Sequence, residues 1–397
     1  MQSHNSPEKS QNLATNSQTP NGTSHKPKLI WLNILVFSIT FAIALVGLPV
    51  YAYFYDFDVQ TIIAFIVATG FCGMSITAGY HRLWSHRAYE TNIFIRFIYA
   101  IGGAFAIQNS ALHWSSDHRV HHRHVDDNDI DPYSAKRGFW YSHIGWMLRE
   151  YQQHRYSDYK NVRDLQRDPI VMWQHRNYLM LVVLTNFGFP LLFGLINGNI
   201  VGSLLLIGVT RLVVSHHVTF FINSLAHMWG SQPYSDQNTA KDNPLVALLT
   251  YGEGYHNFHH AFQYDYRNAI KWWQFDPTKW FIKSLSWLGL AKNLKKISEE
   301  KINQAIAKQQ LNKTCCKLMN LSLPDREEVL AKVQQEYDEL LERMTAFYKA
   351  QRAWLEVTKD QLVENVEKSN ISQQYNELKI SWFEQRKNWH SLIHQYA

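Results

Sequence analysis

Eight of the 20 histidines of this 397-residue chain gather in three short motifs. Two of them, at 118–122 and 256–260, repeat the spacing H-x-x-H-H. This spacing puts three rings on one face of a helix, because positions i, i+3 and i+4 are neighbours there. The third motif holds His81 and His86, which a regular helix would separate by about 140°. We therefore expect a helix to end or bend at the third motif if both rings face one site.

Eight imidazoles in these motifs suit two metal ions better than one. A structural zinc takes four ligands, usually with thiolates among them, whereas neutral imidazole also binds Fe, Cu or Ni. An all-nitrogen site with few carboxylates would keep iron exchangeable between oxidation states during oxygen chemistry. The alternative is a set of histidines near a membrane surface that meets lipid phosphates or binds metal adventitiously. Histidines outside the motifs, such as His143, His216 and His390, are expected to be ordinary polar residues.

The elements that must position these motifs are apolar helices. Four segments, at about 29–54, 59–77, 178–196 and 201–222, have the roughly 20 mostly apolar residues that a bilayer span requires. Short turns join the first segment to the second and the third to the fourth, which predicts two helical hairpins. A fifth apolar segment, 93–112, is interrupted by Arg96, Gln108 and Asn109 and would separate the histidine motifs if it crossed. We predict that it is re-entrant or interfacial.

These elements predict an all-α integral membrane protein with three parts. Residues 1–28 are rich in Ser, Asn, Gln and Thr and are expected to be a disordered polar tail. Residues 29–292 form the membrane domain, in which a cytosolic helical cap carries the two-metal site. Residues 293–397 are charged and helix-favouring, which predicts a soluble helical extension. Its apolar stripe is Val329, Val333, Tyr337, Leu340 and Met344.

Charge predicts the orientation in the membrane. The turns at 55–58 and 197–199 contain no Lys or Arg, whereas basic residues flank the other helix ends. Both termini and the histidine motifs are therefore predicted to face the cytosol. The formal net charge of +6 suits an anionic membrane surface or a phosphate-bearing ligand and does not argue for nucleic acid. Three cysteines without the spacing of a disulfide framework indicate a reducing compartment.

Three sequence motifs, in order, closely resemble the integral-membrane acyl-CoA Δ9 desaturases of the stearoyl-CoA type, in a bacterial-like form with a C-terminal extension. They are TAGYHRLWSH at 77–86, DHRVHH at 117–122 and GEGYHNFHH at 252–260, and NSLAH at 223–227 resembles a fourth motif of the family. The resemblance covers residues 29–292 and implies a di-iron centre, with Asn223 meeting one iron through water. The implied ligands are His81, His86, His118, His121, His122, His227, His256, His259 and His260.

The resemblance implies an O2-dependent desaturase that introduces a cis double bond, at Δ9, into a saturated long-chain acyl thioester. A metal-bound oxidant is needed because no side-chain base removes hydrogen from an unactivated methylene. Two electrons would come from a separate donor protein of the ferredoxin, cytochrome b5 or flavin reductase type, since the sequence has no His-Pro-Gly-Gly haem motif. The implied setting is a bacterial inner membrane. The alternatives are a di-iron acyl or alkyl hydroxylase and a non-enzymatic metal-handling membrane protein.

Several residues occupy positions that bind the acyl chain in the family. Gln108, Trp114 and Thr219 are implied to shape the bend of the chain beside the irons. Thr69 and Gly73, on the second helix, match positions that help to close the tunnel end, and their small size indicates room for a long chain.

The binding site for the acyl carrier is implied less completely. Asn33 and Arg149 are its candidates, whereas Leu32 and Ser116 stand where the family has cations. Long-chain acyl-CoA is the expected substrate, with acyl carrier protein or a membrane lipid as alternatives.

Carboxylates are expected beside the liganding histidines, because such partners fix the tautomer of a ligating ring. The candidates are Asp117, Glu253 and the acidic run Asp126–Asp131. The alternative for the run is a solvated acidic loop.

Overall fold

The structure, a computed structural model, describes residues 27–152, 155–322, 324–359 and 365–396. Most of the predicted polar tail, residues 1–26, lies outside the described residues. The described residues form an all-α protein, as predicted. Its helices are α1 (Trp31–Phe54), α2 (Val59–Ser85), α3 (Ile93–Phe105), α4 (Ala111–Arg123), α5 (Phe139–His143), α6 (Arg163–Gln166), α7 (Pro169–Arg176), α8 (Tyr178–Asn197), α9 (Ile200–Met228), α10 (Pro244–Leu249), α11 (His256–Ala261), α12 (Pro277–Trp287), α13 (Glu299–Asn320), α14 (Arg326–Lys359) and α15 (Asn365–Gln395).

Shorter elements complete the chain. Two strands, β1 (Glu90–Thr91) and β2 (Ala291–Lys292), pair antiparallel. Single 3-10 turns lie at Ala135–Arg137, Gly145–Met147 and Lys160–Val162. The four long helices α1, α2, α8 and α9 each contain a π-helical stretch, at Ile43–Gly47, Ser75–Ser85, Leu184–Gly188 and Leu204–Thr210.

Four helices, α1, α2, α8 and α9, are long and apolar enough to cross a membrane. Two of them are longer than predicted, since α2 continues to Ser85 and α9 to Met228. The added residues are polar, yet they stay helical because protein surrounds them in place of lipid. Every residue of Ser75–Ser85 is buried. The motif that holds His81 and His86 therefore begins within the extension of a spanning helix and not after its end.

The two predicted hairpins meet at their turns. Asn199, in the turn between α8 and α9, accepts a hydrogen bond from the Tyr51 hydroxyl at 2.7 Å. The Asn199 amide in turn donates to Asp58, which caps α2, at 3.2 Å. These side-chain contacts join the two hairpins at the ends that lie away from the histidine motifs.

The bend that the third motif requires is a π-helix. Over Ser75–Ser85 the hydrogen bonds run from residue i+5 to residue i, and the amide of His86 donates to the carbonyl of His81 at 3.1 Å. Five residues then make about one turn, so the two rings meet with their centroids 4.8 Å apart. The wider turn of the π-helix thus brings the rings of His81 and His86 together, whereas a regular α-helix would hold them apart.

The apolar segment 93–112 does not form a single helix. Helix α3 ends at Phe105 and α4 begins at Ala111, and α3 is too short to span a bilayer. The turn between them places two residues in the left-handed region, Ile107 with φ 48° and Asn109 with φ 74°. After this turn α4 packs against Ser75–Ser85, so the motif at 118–122 lies beside the motif with His81 and His86, as the prediction required.

The C-terminal helices α13, α14 and α15 pack on one another around their own apolar core. Val333, Leu340 and Met344 of the predicted stripe are buried in it. The connection to the membrane domain runs further than residue 292. Lys295 donates from its backbone amide to the Ala88 carbonyl at 2.8 Å, and Ile297 donates to Asp265 at 2.9 Å.

Truncation after Ser298 should leave the histidine centre assembled, because every predicted ligand lies upstream and the removed helices have a core of their own. Iron bound per chain, measured by elemental analysis of the purified protein, should equal that of the full chain. A matched truncation after Leu290 also removes β2 and the bond from Lys295 to Ala88, and it should lower the iron content. Loss of iron in the first truncation would show that the extension belongs to the fold of the centre.

Candidate metal centre

Nine histidines converge where the ends of α2 and α9 meet α4 and α11. Within each of two groups the ligating atoms all lie within 4.8 Å of one another. The first group is His81, His86, His118, His122 and His259, and the second group is His121, His227, His256 and His260. Each H-x-x-H-H motif contributes to both groups, so the two groups are neighbours. These are the nine histidines that the sequence motifs indicate.

The first group is tightly packed around its Nε2 atoms. His259 places its Nε2 atom 3.0 Å from that of His81 and 2.9 Å from that of His122. The Nε2 atoms of His86 and His118 lie 2.8 Å apart. Four of the five rings are buried and His122 is partly buried. The group therefore offers five nitrogen atoms around one small volume.

The second group has the same construction. The Nε2 atom of His256 lies 3.1 Å from that of His227 and 3.0 Å from that of His260. Its ring centroids are close as well, with His121 5.3 Å from His227 and 5.1 Å from His260. Asn223, one helical turn before His227, lines the adjoining cavity.

A carboxylate lies beside the outer nitrogen atom of two rings and fixes the tautomer of one of them. Nδ1 of His121 is hydrogen-bonded to Oδ1 of Asp131 at 2.9 Å, and Nδ1 of His81 lies 2.9 Å from Oε2 of Glu253 without hydrogen-bond geometry. An ionised carboxylate only accepts hydrogen bonds, so the Nδ1 atom of His121 carries a proton. Nε2 then keeps its lone pair and directs it into the group.

The same reasoning applies to His227. Thr239 donates its hydroxyl hydrogen to Asp126 at 2.6 Å and therefore accepts from Nδ1 of His227 at 2.9 Å. In both groups, Nε2 atoms lie about 3 Å from one another, so several ring nitrogen atoms could bind one cation placed between them. The residues fit a pair of metal ions, and an all-imidazole set favours transition metals.

Six rings of the site are neutral at neutral pH. Burial first, and then the neighbouring imidazoles, lower the pKa well below its ordinary value in His86, His118, His122, His256, His259 and His260. Neutral imidazole is the form that binds a metal, so no proton has to leave these rings at neutral pH.

Glu253 is held in place by a buried arginine. Arg82 contacts Glu253 at 2.9 Å and Asp276 at 3.0 Å, and all three side chains are almost fully buried. Burial alone would raise the pKa of Glu253, but its contacts with His81 and Arg82 lower it to about 2. The carboxylate stays ionised and keeps the ring of His81 oriented.

Of the other candidate carboxylates, Asp131 and Asp126 lie at the centre and Asp117 does not. Burial would raise the pKa of Asp131, and its contact with His121 lowers it. Asp117 instead pairs with Arg155 and lies 3.3 Å from His113, so the prediction that it orients a liganding histidine was wrong. Asp117 lines the cavity together with His118 and His121, but its carboxylate pairs with Arg155.

A cavity of about 570 Å³ adjoins both histidine groups. His81, His118, His121 and His256 form part of its wall. Four of the predicted substrate residues also line it, namely Asn33, Gln108, Trp114 and Thr219. The volume lies within the range of about 300–1,000 Å³ that small-molecule sites occupy.

The predicted bend residues contact one another. The Gln108 amide donates to the Thr219 hydroxyl at 2.8 Å, and the Trp114 indole donates to the Gln108 carbonyl oxygen at 3.3 Å. Thr219 is itself fixed, because its hydroxyl donates to the Ser215 carbonyl at 3.0 Å. The polar atoms of the three side chains are thus hydrogen-bonded to one another or to the backbone where they line the cavity.

Three predicted substrate residues lie elsewhere. Gly73 lines a small pocket that continues from the cavity, whereas Thr69 lines neither space and bonds the Phe65 carbonyl. Arg149 donates to the carbonyl of Pro27 and does not line the cavity.

Arg155 is a cation on the cavity wall that the sequence motifs did not indicate, since it lies outside all of them. Arg82, Tyr133 and Thr239 were also missed as partners of the centre. Arg82 directly follows His81 in the sequence, and this adjacency is the signal that could have identified it as a partner of the centre.

Comparison with known proteins agrees with this site. Residues 59–286 match the sequence profile of the fatty acid desaturase family. The match covers more than half of the chain and all nine histidines. The chain belongs to the fatty acid desaturase family.

Individual relatives within the family are named as acyl-CoA desaturases or as a lipid desaturase. A probable acyl-CoA desaturase of Schizosaccharomyces pombe is 46% identical over 66% of this chain and 56% of its own length. Acyl-CoA desaturase 1 of Saccharomyces cerevisiae is 42% identical over 77% of this chain, and this chain spans 61% of the yeast protein. The sn-2 palmitoyl-lipid 9-desaturase of Nostoc is 34% identical over 68% of this chain and 92% of its own length.

Substitution of Asp131 by Asn should weaken metal binding by about 10- to 100-fold, because it removes the charge that orients His121. Asp129→Asn is the matched control, since Asp129 belongs to the same acidic run but is exposed. Chelator titration of the iron-loaded proteins measures both. Equal affinities in the two variants would contradict the role of Asp131.

Proposed function

We propose that the protein is an acyl desaturase that uses O2 and two electrons to introduce a cis double bond into a saturated long-chain acyl thioester at a di-iron centre. The observation that carries this proposal is the cavity that adjoins both histidine groups and is lined by Gln108, Trp114 and Thr219. A largely apolar cavity beside two candidate metal sites suits a flexible hydrocarbon chain.

The reaction balances when both hydrogen atoms leave one pair of adjacent methylenes. Two C–H bonds break, a C=C bond forms, and O2 takes up these two hydrogen atoms with two further electrons and two protons to give two waters. The iron pair supplies the oxidising chemistry when bound. The residues of this protein would hold the metals through neutral imidazole rings. Gln108, Trp114 and Thr219 would place the acyl chain against the metals, and the apolar wall around Ile76 and Val36 would exclude water.

Iron is the metal that we propose, because the rings are neutral and the two groups lie side by side. A hydroxylase on the same scaffold would use the same centre, and identification of the product separates the two reactions. In a metal-handling membrane protein we would expect polar residues along a path through the spanning helices. The histidines instead cluster at one end of the helices, which favours an enzyme.

The acyl carrier and the double-bond position are also proposals. Acyl-CoA is favoured by the names of the two fungal relatives, whereas the Nostoc relative is named for a lipid-bound palmitoyl chain and for position 9. We propose acyl-CoA and Δ9. Asn33 and Arg155 are the polar groups of the cavity wall that support binding of the carrier end. Asn33 is held by its amide, which donates to the Met147 carbonyl at 2.8 Å.

We propose that both termini and the centre face the cytosol, from the distribution of basic residues, and that a separate protein donates the electrons. Two of the three relatives named above are fungal and one is cyanobacterial. They support a multi-pass membrane protein and give no preference for a bacterial inner membrane.

The purified protein should contain two iron atoms per chain, because two separate sets of nitrogen ligands converge. Elemental analysis and Mössbauer spectroscopy of protein grown with iron measure this. A single metal ion per chain, or a haem, would contradict the two-site centre. Zinc after overexpression would call for reconstitution with iron, because the same ligands accept it.

His121→Ala and His259→Ala should each abolish double-bond formation while the protein stays inserted in the membrane, because the spanning helices do not depend on the rings. His390→Ala, on α15, is the matched control and should retain full activity. Profiling of cellular fatty acids by mass spectrometry, with the double bond located, measures the effect. Activity above about one tenth in either of the first two variants, a loss of less than about 1.4 kcal/mol, would remove that histidine from the ligand set.

A further inference from the structure

The cavity is closed shortly beyond the bend. Past Gln108 and Thr219 it leads into a pocket of only about 20 Å³. The two spaces share five lining residues, so one continues into the other: Ile76, Thr77, Gln108, Thr219 and Ile222. A space of this size holds about one water-sized group. Under the proposed function, the methyl end of the acyl chain must lie here, and something limits its length.

The ring of Tyr251 fills this end of the pocket. A Cβ atom built on Gly73 would lie 2.2 Å from Cε2 of Tyr251, so the ring rests directly on the glycine backbone. The Tyr251 hydroxyl reaches the Thr69 carbonyl at 3.3 Å, which is a long hydrogen bond. The two small residues that the sequence analysis assigned to the tunnel end are therefore the surface against which Tyr251 packs.

The ring comes from a separate part of the chain. Tyr251 lies in the turn between α10 and α11, with φ 56°, a left-handed conformation that is unusual for a bulky residue. The turn is fixed by two bonds, from the Gly252 amide to the Ala247 carbonyl and from the Thr278 hydroxyl to the Tyr251 carbonyl, both at 2.9 Å. A strained residue held in this way indicates that its side-chain direction serves the site. Substitution of the ring leaves the backbone of α2 untouched.

We propose that Tyr251 is the residue that limits chain length, by closing the acyl cavity against Gly73 and Thr69. The ligand that it meets is the methyl end of a saturated acyl chain. This proposal rests on the proposed desaturase function and adds a specificity-determining residue that lies outside the nine histidines and the bend.

Tyr251→Ala should shift the chain-length preference towards longer substrates. Each methylene that an apolar pocket gains or loses changes the relative kcat/KM by about tenfold or more. We therefore expect at least a tenfold rise in the kcat/KM ratio for a chain two carbons longer over the chain that the wild type prefers. Tyr251→Phe keeps the ring and should keep the wild-type profile. Tyr264→Ala, at an exposed tyrosine that follows α11, is the matched control and should change neither activity nor profile.

A second substitution tests the contact itself. Gly73→Ala introduces a methyl group where the Tyr251 ring lies, so it should perturb the profile in the wild type. In the Tyr251→Ala background the same methyl group meets empty space and should restore part of the length limit. The two effects should therefore be non-additive.

The outcomes distinguish this proposal from the function on which it rests. If the wild type desaturates no acyl chain of any length, the proposed function fails. If the wild type is active and Tyr251→Ala keeps its iron and the wild-type profile, Tyr251 does not limit chain length and the proposal fails. If Tyr251→Ala loses its iron, Tyr251→Leu is measured in its place, and an unchanged profile there overturns the proposal equally.

Discussion

The structure depends on one electrostatic constraint, the convergence of neutral imidazole lone pairs in a buried volume. The Nδ1 atoms of His121 and His227 donate to Asp131 and Thr239, so their Nε2 lone pairs point inward. A buried carboxylate is costly unless it is paired. Arg82 pairs with Glu253 and Asp276 at once, so one buried cation contacts two buried carboxylates beside His81. The two metal groups, their carboxylates and this arginine form a single interdependent network.

The membrane helices surround that network, and their residues change from lipid-facing to buried in protein where the helices reach it. Helix α2 is lipid-facing and apolar in its first part and fully buried over Ser75–Ser85. The change coincides with a π-helical stretch, which brings His81 and His86 to one face. A continuous helix thus crosses from lipid into protein without a loop, and this keeps both rings on a rigid element. Rigid placement matters because a metal site tolerates little error in ligand position.

Sequence reasoning predicted the spanning helices and the clustering of the histidines, because both signals are local. Apolar runs define helices in lipid, and H-x-x-H-H spacing places rings on one helical face. It missed the continuation of α9 to His227 as part of a spanning helix, since polarity suggested an end and burial in protein could not be seen. It also misplaced Asp117, because adjacency to His118 in sequence is not proximity of side chains. The partner of Asp117 is Arg155, which lies 38 residues away along the chain.

The residues of the site lie on two kinds of backbone structure, helices and turns. Most of the histidines lie on helices, whereas Gln108, which forms the bend, and Tyr251, which closes the cavity, lie on turns. Both turns contain residues in the left-handed region, Asn109 beside Gln108 and Tyr251 itself. A turn fixes the direction of one side chain through a few backbone bonds, so its residue can differ without moving a metal ligand. This separation would let the shape of the cavity vary while the arrangement of the nine histidines stays the same.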